Sequence, residues 1–162
     1  MKVAIAQLVS SSDKQANSEK AKRYIKEAKR KGADIVILPE MYMSLTKPLN
    51  DSMPHEVAEP LDGPFVNGLK SYAKESGIYC VCGVYESAEG NRAYNTIVLI
   101  SRDGELLQSY RKTHLYDAFS SKESASIAAG DRLMEPVETE FGKVGLFVCY
   151  ELRFPEIARA LA

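Results

Sequence analysis

A chain of 162 residues, 45% hydrophobic and 27% charged, holds enough apolar content for one packed domain and too little length for two ordinary ones. A formal net charge of -1 excludes the basic surplus that draws proteins to nucleic acid or to anionic membranes. The three cysteines, Cys80, Cys82 and Cys149, are odd in number and lack framework spacing, which points to a reducing, cytoplasmic setting.

The first element is the β-branched and apolar "KVAIAQL", a strand. Its "VAIA" run is broken by Gln7, too soon for a signal sequence or a bilayer span. "SSDKQ" follows, with Ser12 as N-cap and Gln15 three residues later in a capping-box pattern. Ala21, Tyr24, Ile25 and Ala28 recur at i, i+3, i+4 and i+7, so an amphipathic helix runs to Gly32, a natural left-handed stop. The interleaved basic residues of "KQANSEKAKRYIKEAKRKG" form its wet face. "DIVILPE" is a continuous apolar run of the kind buried on both faces of a sheet, and strand, helix, strand makes a βαβ start.

An irregular stretch from Met41 to Gly63 carries Pro48, Pro54 and Pro60. Pro64 then suits the first position of a second helix through Phe65, Leu69, Tyr72 and Ala73, ending at Gly77. "IYCVCGVYE" is a third strand. Cys80 and Cys82 face one side of it with Cα atoms about 6.5–7 Å apart, at or beyond disulfide reach, and read as core residues. "EGNR" turns the chain into "AYNTIVLI", and the Asp-Gly of "RDGE" turns it again into "LLQSYRK". A second long loop covers Thr113 to Met134. "VETE", a turn at "FGK" and the apolar strand "KVGLFVC" follow, and Pro155 opens a last helix, "PEIARALA". The whole predicts a mixed α/β sheet covered by helices in a single domain, residues 1–162.

In open α/β sheets ligands gather where strands end. Glu40 ends "DIVILPE", Lys112 ends "LLQSYRK" and Cys149 ends "KVGLFVC". Taken singly, each has an ordinary reading: a loop acid, a strand-end lysine with its head in water, a buried core cysteine. Together they make a chemical set. A cysteine needs a base to become thiolate, a carboxylate in a dry pocket can serve, and a lysine stabilises the negative charge of a tetrahedral intermediate. The backbone N–H of Tyr150, at the start of a helical turn, offers a second donor.

The segments "ILPE", "YRKTHLY" and "GLFVCYELRFPE" resemble, in order and context, the three signature segments of the nitrilase superfamily of carbon–nitrogen hydrolases. The similarity is greatest to the branch of amidases acting on small linear amides. "KVAIAQL", "YNTIVLI" and "AAGD" agree with it, so it covers the whole chain. The resemblance implies Glu40 as general base, Lys112 as electrostatic stabiliser and Cys149 as nucleophile, with no metal or organic cofactor. It implies a four-layer αββα sandwich, assembly into dimers or larger even-numbered oligomers, and a small-molecule amide as substrate. Glu123, in "SKESASIAAGD", resembles the second glutamate that many members place beside the nucleophile; its position in a loop favours that role over the other reading, a solvated loop acid.

Two departures stand out. Glu151 occupies a position where this branch more often has Asp, and the family domain is longer, roughly 260 residues or more. The resemblance thus implies the amino-terminal portion of such a hydrolase, truncated on its C-terminal side, with a half-built sandwich. That leaves a catalytically incompetent, self-associating fragment as one alternative, because half a sandwich bares a sheet face and edges. Nitrile hydrolysis by the same residues is another, although true nitrilases usually have Trp where this chain has Tyr150. A Cys–His hydrolase using His114 or His55 lacks an orienting acid at recognisable spacing. A metal site at "CVC" lacks the spacing of structural zinc sites.

Overall fold

The computed structural model describes residues 1–48 and 51–162, so Leu49 and Asn50 of the predicted irregular stretch lie outside the described residues. Strand β1 (Val3–Ile5), helix α1 (Lys14–Arg30) and strand β2 (Ile35–Ile37) form the expected βαβ unit, β1 and β2 pairing in parallel. The cap of α1 differs from expectation. Asp13, one residue after Ser12, accepts from the backbone N–H groups of Gln15 at 2.8 Å and Ala16 at 3.1 Å. A carboxylate is the stronger acceptor there and also suits the positive end of the helix dipole. Gly32 follows the helix with φ of 77°, as its position predicted.

The stretch predicted as irregular holds a single turn of helix, α2 (Pro54–Val57). Helix α3 (Pro64–Ser76) starts at Pro64 and ends at Gly77, which is left-handed with φ of 58°. Strands β3 (Tyr79–Ser87), β4 (Ala93–Ile100) and β5 (Leu106–Arg111) then form an antiparallel meander. The sheet order is β1-β2-β3-β4-β5, with β2 and β3 parallel.

Alternation assigns the faces. Val36, Cys80, Cys82, Val84, Val98 and Ile100 pack toward α1 and α3, where Ala21, Ile25, Phe65 and Leu69 are also buried. Ile35, Tyr79, Val81 and Leu99 point to the opposite face, against Phe141 and Leu146. This is one helical layer on one sheet of the predicted αββα sandwich, with the second sheet face partly open. Ile5, on that face at the β1 end, is 79% exposed. Among the described residues no helix is long and apolar enough to cross a membrane.

The predicted loop from Thr113 to Met134 contains structure: a hairpin of β6 (Asp117–Ala118) and β7 (Ser121–Lys122), a 3₁₀ turn at Glu123–Ala125, and β8 (Ile127–Ala128). β8 pairs with β4 beyond the end of β5. The predicted strand "KVGLFVC" is mostly not a strand. Only β10 (Gly142–Val144) ladders, antiparallel to β9 (Val137–Thr139), as a separate ribbon. Residues 145–148 lie off any ladder, with Leu146 and Val148 packed on the second face of the main sheet. Their apolar content reflects contact with that face. Helix α4 (Pro155–Leu161) starts at Pro155 as predicted.

Candidate active site

Glu40 is placed by an extension of β2. Leu38 N–H donates to Val81 O at 2.8 Å, Gly83 N–H to Pro39 O at 3.0 Å, and Tyr42 N–H to Gly83 O at 2.9 Å. Between these bonds Met41 adopts φ of 50°, a left-handed conformation unfavourable for a side-chain-bearing residue. The close approach requires glycine opposite. A Cβ on Gly83 would lie 2.5 Å from Met41 N and 2.6 Å from Glu40 Cα. Gly83→Ala is therefore expected to push Glu40 away from the site and to destabilise the fold by about 1–3 kcal/mol. Urea denaturation reads the second effect. The first appears as a slower reaction at Cys149 under conditions where the variant remains folded.

Lys112 reaches the site through a change of face in β5. Ile100 pairs with Leu106 while Leu99 pairs with Gln108, leaving Leu107 as an extra residue in a β-bulge. One extra residue reverses the parity of everything after it. Tyr110 and Lys112 consequently join Ile97 and Asn95 on the second face, and Lys112 N–H donates to Asn95 O at 2.9 Å. The Lys112 side chain is 2% exposed, with Nζ 3.3 Å from Glu40 Oε1 and 2.9 Å from Glu123 Oε2. Burial disfavours its charge, yet the two carboxylates outweigh this and hold its pKa above the ordinary lysine value.

Glu123, at the start of the 3₁₀ turn, is not a solvated acid. It accepts from Lys112 Nζ through both oxygens, from Tyr116 N–H at 2.7 Å and from Asn95 Nδ2 at 3.2 Å. Cys149 completes the group at a sharp elbow. The extended Val148 leads into Cys149 at φ of 50°, and a 3₁₀ helix runs from Cys149 to Arg153. Tyr150 lies in its first turn, with its ring edge-on to Tyr116 and Phe154.

Glu151 holds the elbow. Its carboxylate is fully buried; Oε2 accepts from Val148 N–H at 2.8 Å. Oε1 accepts from Tyr110 OH at 2.6 Å, Thr113 Oγ1 at 2.8 Å, and the N–H groups of Thr113 and His114 at 2.9 and 3.2 Å. One side chain thus fastens the residue before Cys149 to the two residues after Lys112. Burial alone would raise its pKa; the donors from Tyr110, Val148 and Thr113 outweigh burial and hold it below the usual glutamate value.

The three cysteines differ in kind. Burial pushes Cys80 up to about 12 and Cys82 well above the ordinary thiol value, and both side chains are sealed in the core. Cys149 is open to solvent. Desolvation raises its pKa too, as does the nearby Glu40 carboxylate, while Lys112 acts in the opposite direction. The raised pKa favours the protonated thiol, and the Glu40 carboxylate lines the same cavity.

The structure thus brings Glu40, Lys112, Glu123 and Cys149 around one cavity of about 480 Å³. Both predicted loops contribute to its wall, through Thr46 and Lys47 on one side and Tyr116 and Ser126 on the other. An apolar cavity of about 540 Å³ on the sheet face shares Glu40 and Cys149 with it. His114 is taken up elsewhere, against Thr113 Oγ1 at 2.9 Å and the Phe154 ring at 4.3 Å. Among the described residues no cluster of three His, Cys, Asp or Glu side chains could hold a metal ion. Sequence reasoning missed Asn95, Glu151 as a buried anchor, and Gly83. The available signals were a polar Asn-Thr pair inside an apolar strand and an acid directly after the elbow.

A carboxylate, a lysine and a cysteine gather around one cavity at the edge of the sheet, and the chain belongs to the carbon–nitrogen hydrolase family. The family profile matches residues 2–162. Omega-amidase NIT2 of Xenopus tropicalis is 36% identical over 163 residues, spanning 98% of this chain and 58% of that protein. The NitFhit protein of C. elegans superimposes with a TM-score of 0.85 at 27% identity, over 96% of this chain and 39% of that one. A variant of the amidase from Nesterenkonia sp. AN1 superimposes with a TM-score of 0.82 at 25% identity, over 99% of this chain and 60% of that one. That variant carries the acetamide moiety of fluoroacetamide covalently on its active-site cysteine. The chain spans about half the length of the curated relatives it matches.

Proposed function

We propose that this site hydrolyses the carbon–nitrogen bond of a small linear amide through a thioester on Cys149. The observation that carries this reading is the convergence of Glu40, Lys112 and Cys149 on one cavity, with Lys112 held between Glu40 and Glu123. Glu40 takes the thiol proton as sulfur attacks the amide carbon, and the carbonyl π pair moves to oxygen. Lys112 Nζ and the Tyr150 N–H stabilise that oxyanion. As the oxyanion collapses, the C–N bond breaks and Glu40 gives its proton to the departing nitrogen. Water then attacks the thioester, Glu40 accepts its proton, and the carboxylic acid leaves as sulfur is reprotonated. Glu123 keeps Lys112 in place throughout.

The test separates the nucleophile from the base. An alkylating amide such as fluoroacetamide needs the Cys149 thiolate but no proton on its departing fluoride, so the adduct still forms, more slowly, without Glu40 as acid. A true amide such as propionamide requires the proton on its leaving nitrogen. Intact-mass and peptide analysis should therefore find a single acetamide adduct, on Cys149 and not on Cys80 or Cys82, in both the wild type and Glu40→Gln. Release of ammonia from propionamide should fall about a hundredfold or more in Glu40→Gln. Equal ammonia release by the two proteins, or an adduct distributed over all three cysteines, would sink the assignment.

A further inference from the structure

Asn95 lies in the interior of β4, 1% exposed, on the site face of the sheet. Its Nδ2 donates to Glu40 Oε1 at 2.6 Å and to Glu123 Oε1 at 3.2 Å, bridging the two carboxylates that flank Lys112. Two acceptors on one side fix the orientation of the amide, since the reversed group would set its oxygen against both carboxylates. The consequence falls on the other atom. Asn95 Oδ1 is buried with no hydrogen-bond partner among the described residues. A buried acceptor left unpaired is unfavourable, so the demands of the two carboxylates have outweighed satisfaction of the amide itself.

The pattern at Glu40 is atom-specific. Oε1 receives both Asn95 Nδ2 and, at 3.3 Å, Lys112 Nζ. We propose that Asn95 is a positioning residue that occupies Oε1 of Glu40, so that Oε2 is the oxygen that exchanges its proton with Cys149. The inference rests on Glu40 acting as the base. Asn95 prevents the carboxylate from rotating to present the oxygen already committed to Lys112. Glu123 depends on Asn95 much less, because its bond is longer and Lys112 and Tyr116 also donate to it.

The experiment follows the side-chain carboxyl carbons of Glu40 and Glu123 by ¹³C NMR across pH in the wild type and in Asn95→Ala. A donor to the charged form lowers a carboxyl pKa, so its removal should raise the Glu40 midpoint by roughly one pH unit. The Glu123 midpoint should move by clearly less. Where amide turnover is measurable, the acid limb of its pH profile should move upward in step with Glu40. If Asn95→Ala does not fold, the isosteric Asn95→Asp carries the test, with a larger upward shift at Glu40 because a third carboxylate joins the group. An unchanged Glu40 midpoint in a folded variant, or equal shifts at Glu40 and Glu123, would overturn the proposal. The titration requires no turnover. A shifted Glu40 in a chain that releases no ammonia would count against the hydrolase reading and leave the role of Asn95 standing.

Discussion

Lys112→Met is expected to destabilise the fold by about 3–5 kcal/mol near neutral pH, the usual result of removing one partner from a buried ionic group. Methionine fills nearly the same space, so the loss comes from charge. Without Nζ, the carboxylates of Glu40 and Glu123 face one site with no cation between them. Like charges at that separation cannot both stay ionised cheaply, and their folded-state pKa values rise in the variant. A group whose folded pKa is raised contributes stability below its unfolded pKa and loses it as pH rises through the folded value. The deficit should therefore be small at pH 4 and full at pH 8. Urea denaturation at the two pH values measures it, and a deficit independent of pH would show that Lys112 is not the counter-ion of this pair. The chemistry should suffer as well. Lys112 favours the thiolate form of Cys149, so alkylation by fluoroacetamide should slow about tenfold at pH 7.5. Amide turnover should fall further, by about 10²–10³-fold, because oxyanion stabilisation is lost too.

The helical layer was legible because local rules govern it. Gly32, Pro64 and Gly77 stop and start helices for reasons of φ alone, and the Asp103-Gly104 pair forces its turn whatever surrounds it. The three reactive residues were legible from their positions at segment ends and from their order. The way they are delivered was not. Lys112 faces the site because of a bulge at Leu107, and nothing in "LLQSYRK" marks which residue is extra. The sequence places Cys149 at the end of a strand, since residues packed against a sheet face and residues within a sheet have the same apolar composition. Met41 and Cys149 adopt left-handed backbone conformations that their side chains do not favour, so tertiary contacts alone determine them. Asn95 was overlooked because one polar residue in a strand is ordinary. Its importance appears only when the turn at Glu40 and the 3₁₀ turn at Glu123 both bring a carboxylate to its Nδ2.

Glu151 supports the second large effect, and three substitutions separate its parts. Glu151→Ala should destabilise by about 3–5 kcal/mol, because it leaves Tyr110 OH and the N–H groups of Val148, Thr113 and His114 buried without their acceptor. Glu151→Gln keeps the shape and should still lose about 1.5–3 kcal/mol. Its amide nitrogen must oppose either the Val148 N–H or the Thr113 group, donor against donor. Glu151→Asp, the residue more usual in the resembling family branch, is one methylene shorter. It cannot reach Val148 and the Thr113–His114 turn together unless the elbow moves, so its loss should be intermediate and concentrated at Cys149. The deficit runs with pH in the same direction as that of Lys112→Met, for a different reason. The folded pKa of Glu151 is depressed, so its contribution is present above the ordinary glutamate value and disappears as pH falls through the folded value. Glu151→Gln should therefore differ most from the wild type at neutral pH and converge with it in acid. The rate of Cys149 alkylation should drop in all three variants, since the bond to Val148 N–H sets the residue immediately before the sulfur. A Glu151→Gln protein with wild-type urea midpoints at pH 7 and an unchanged alkylation rate would mean that the elbow holds itself and that Glu151 only fills space.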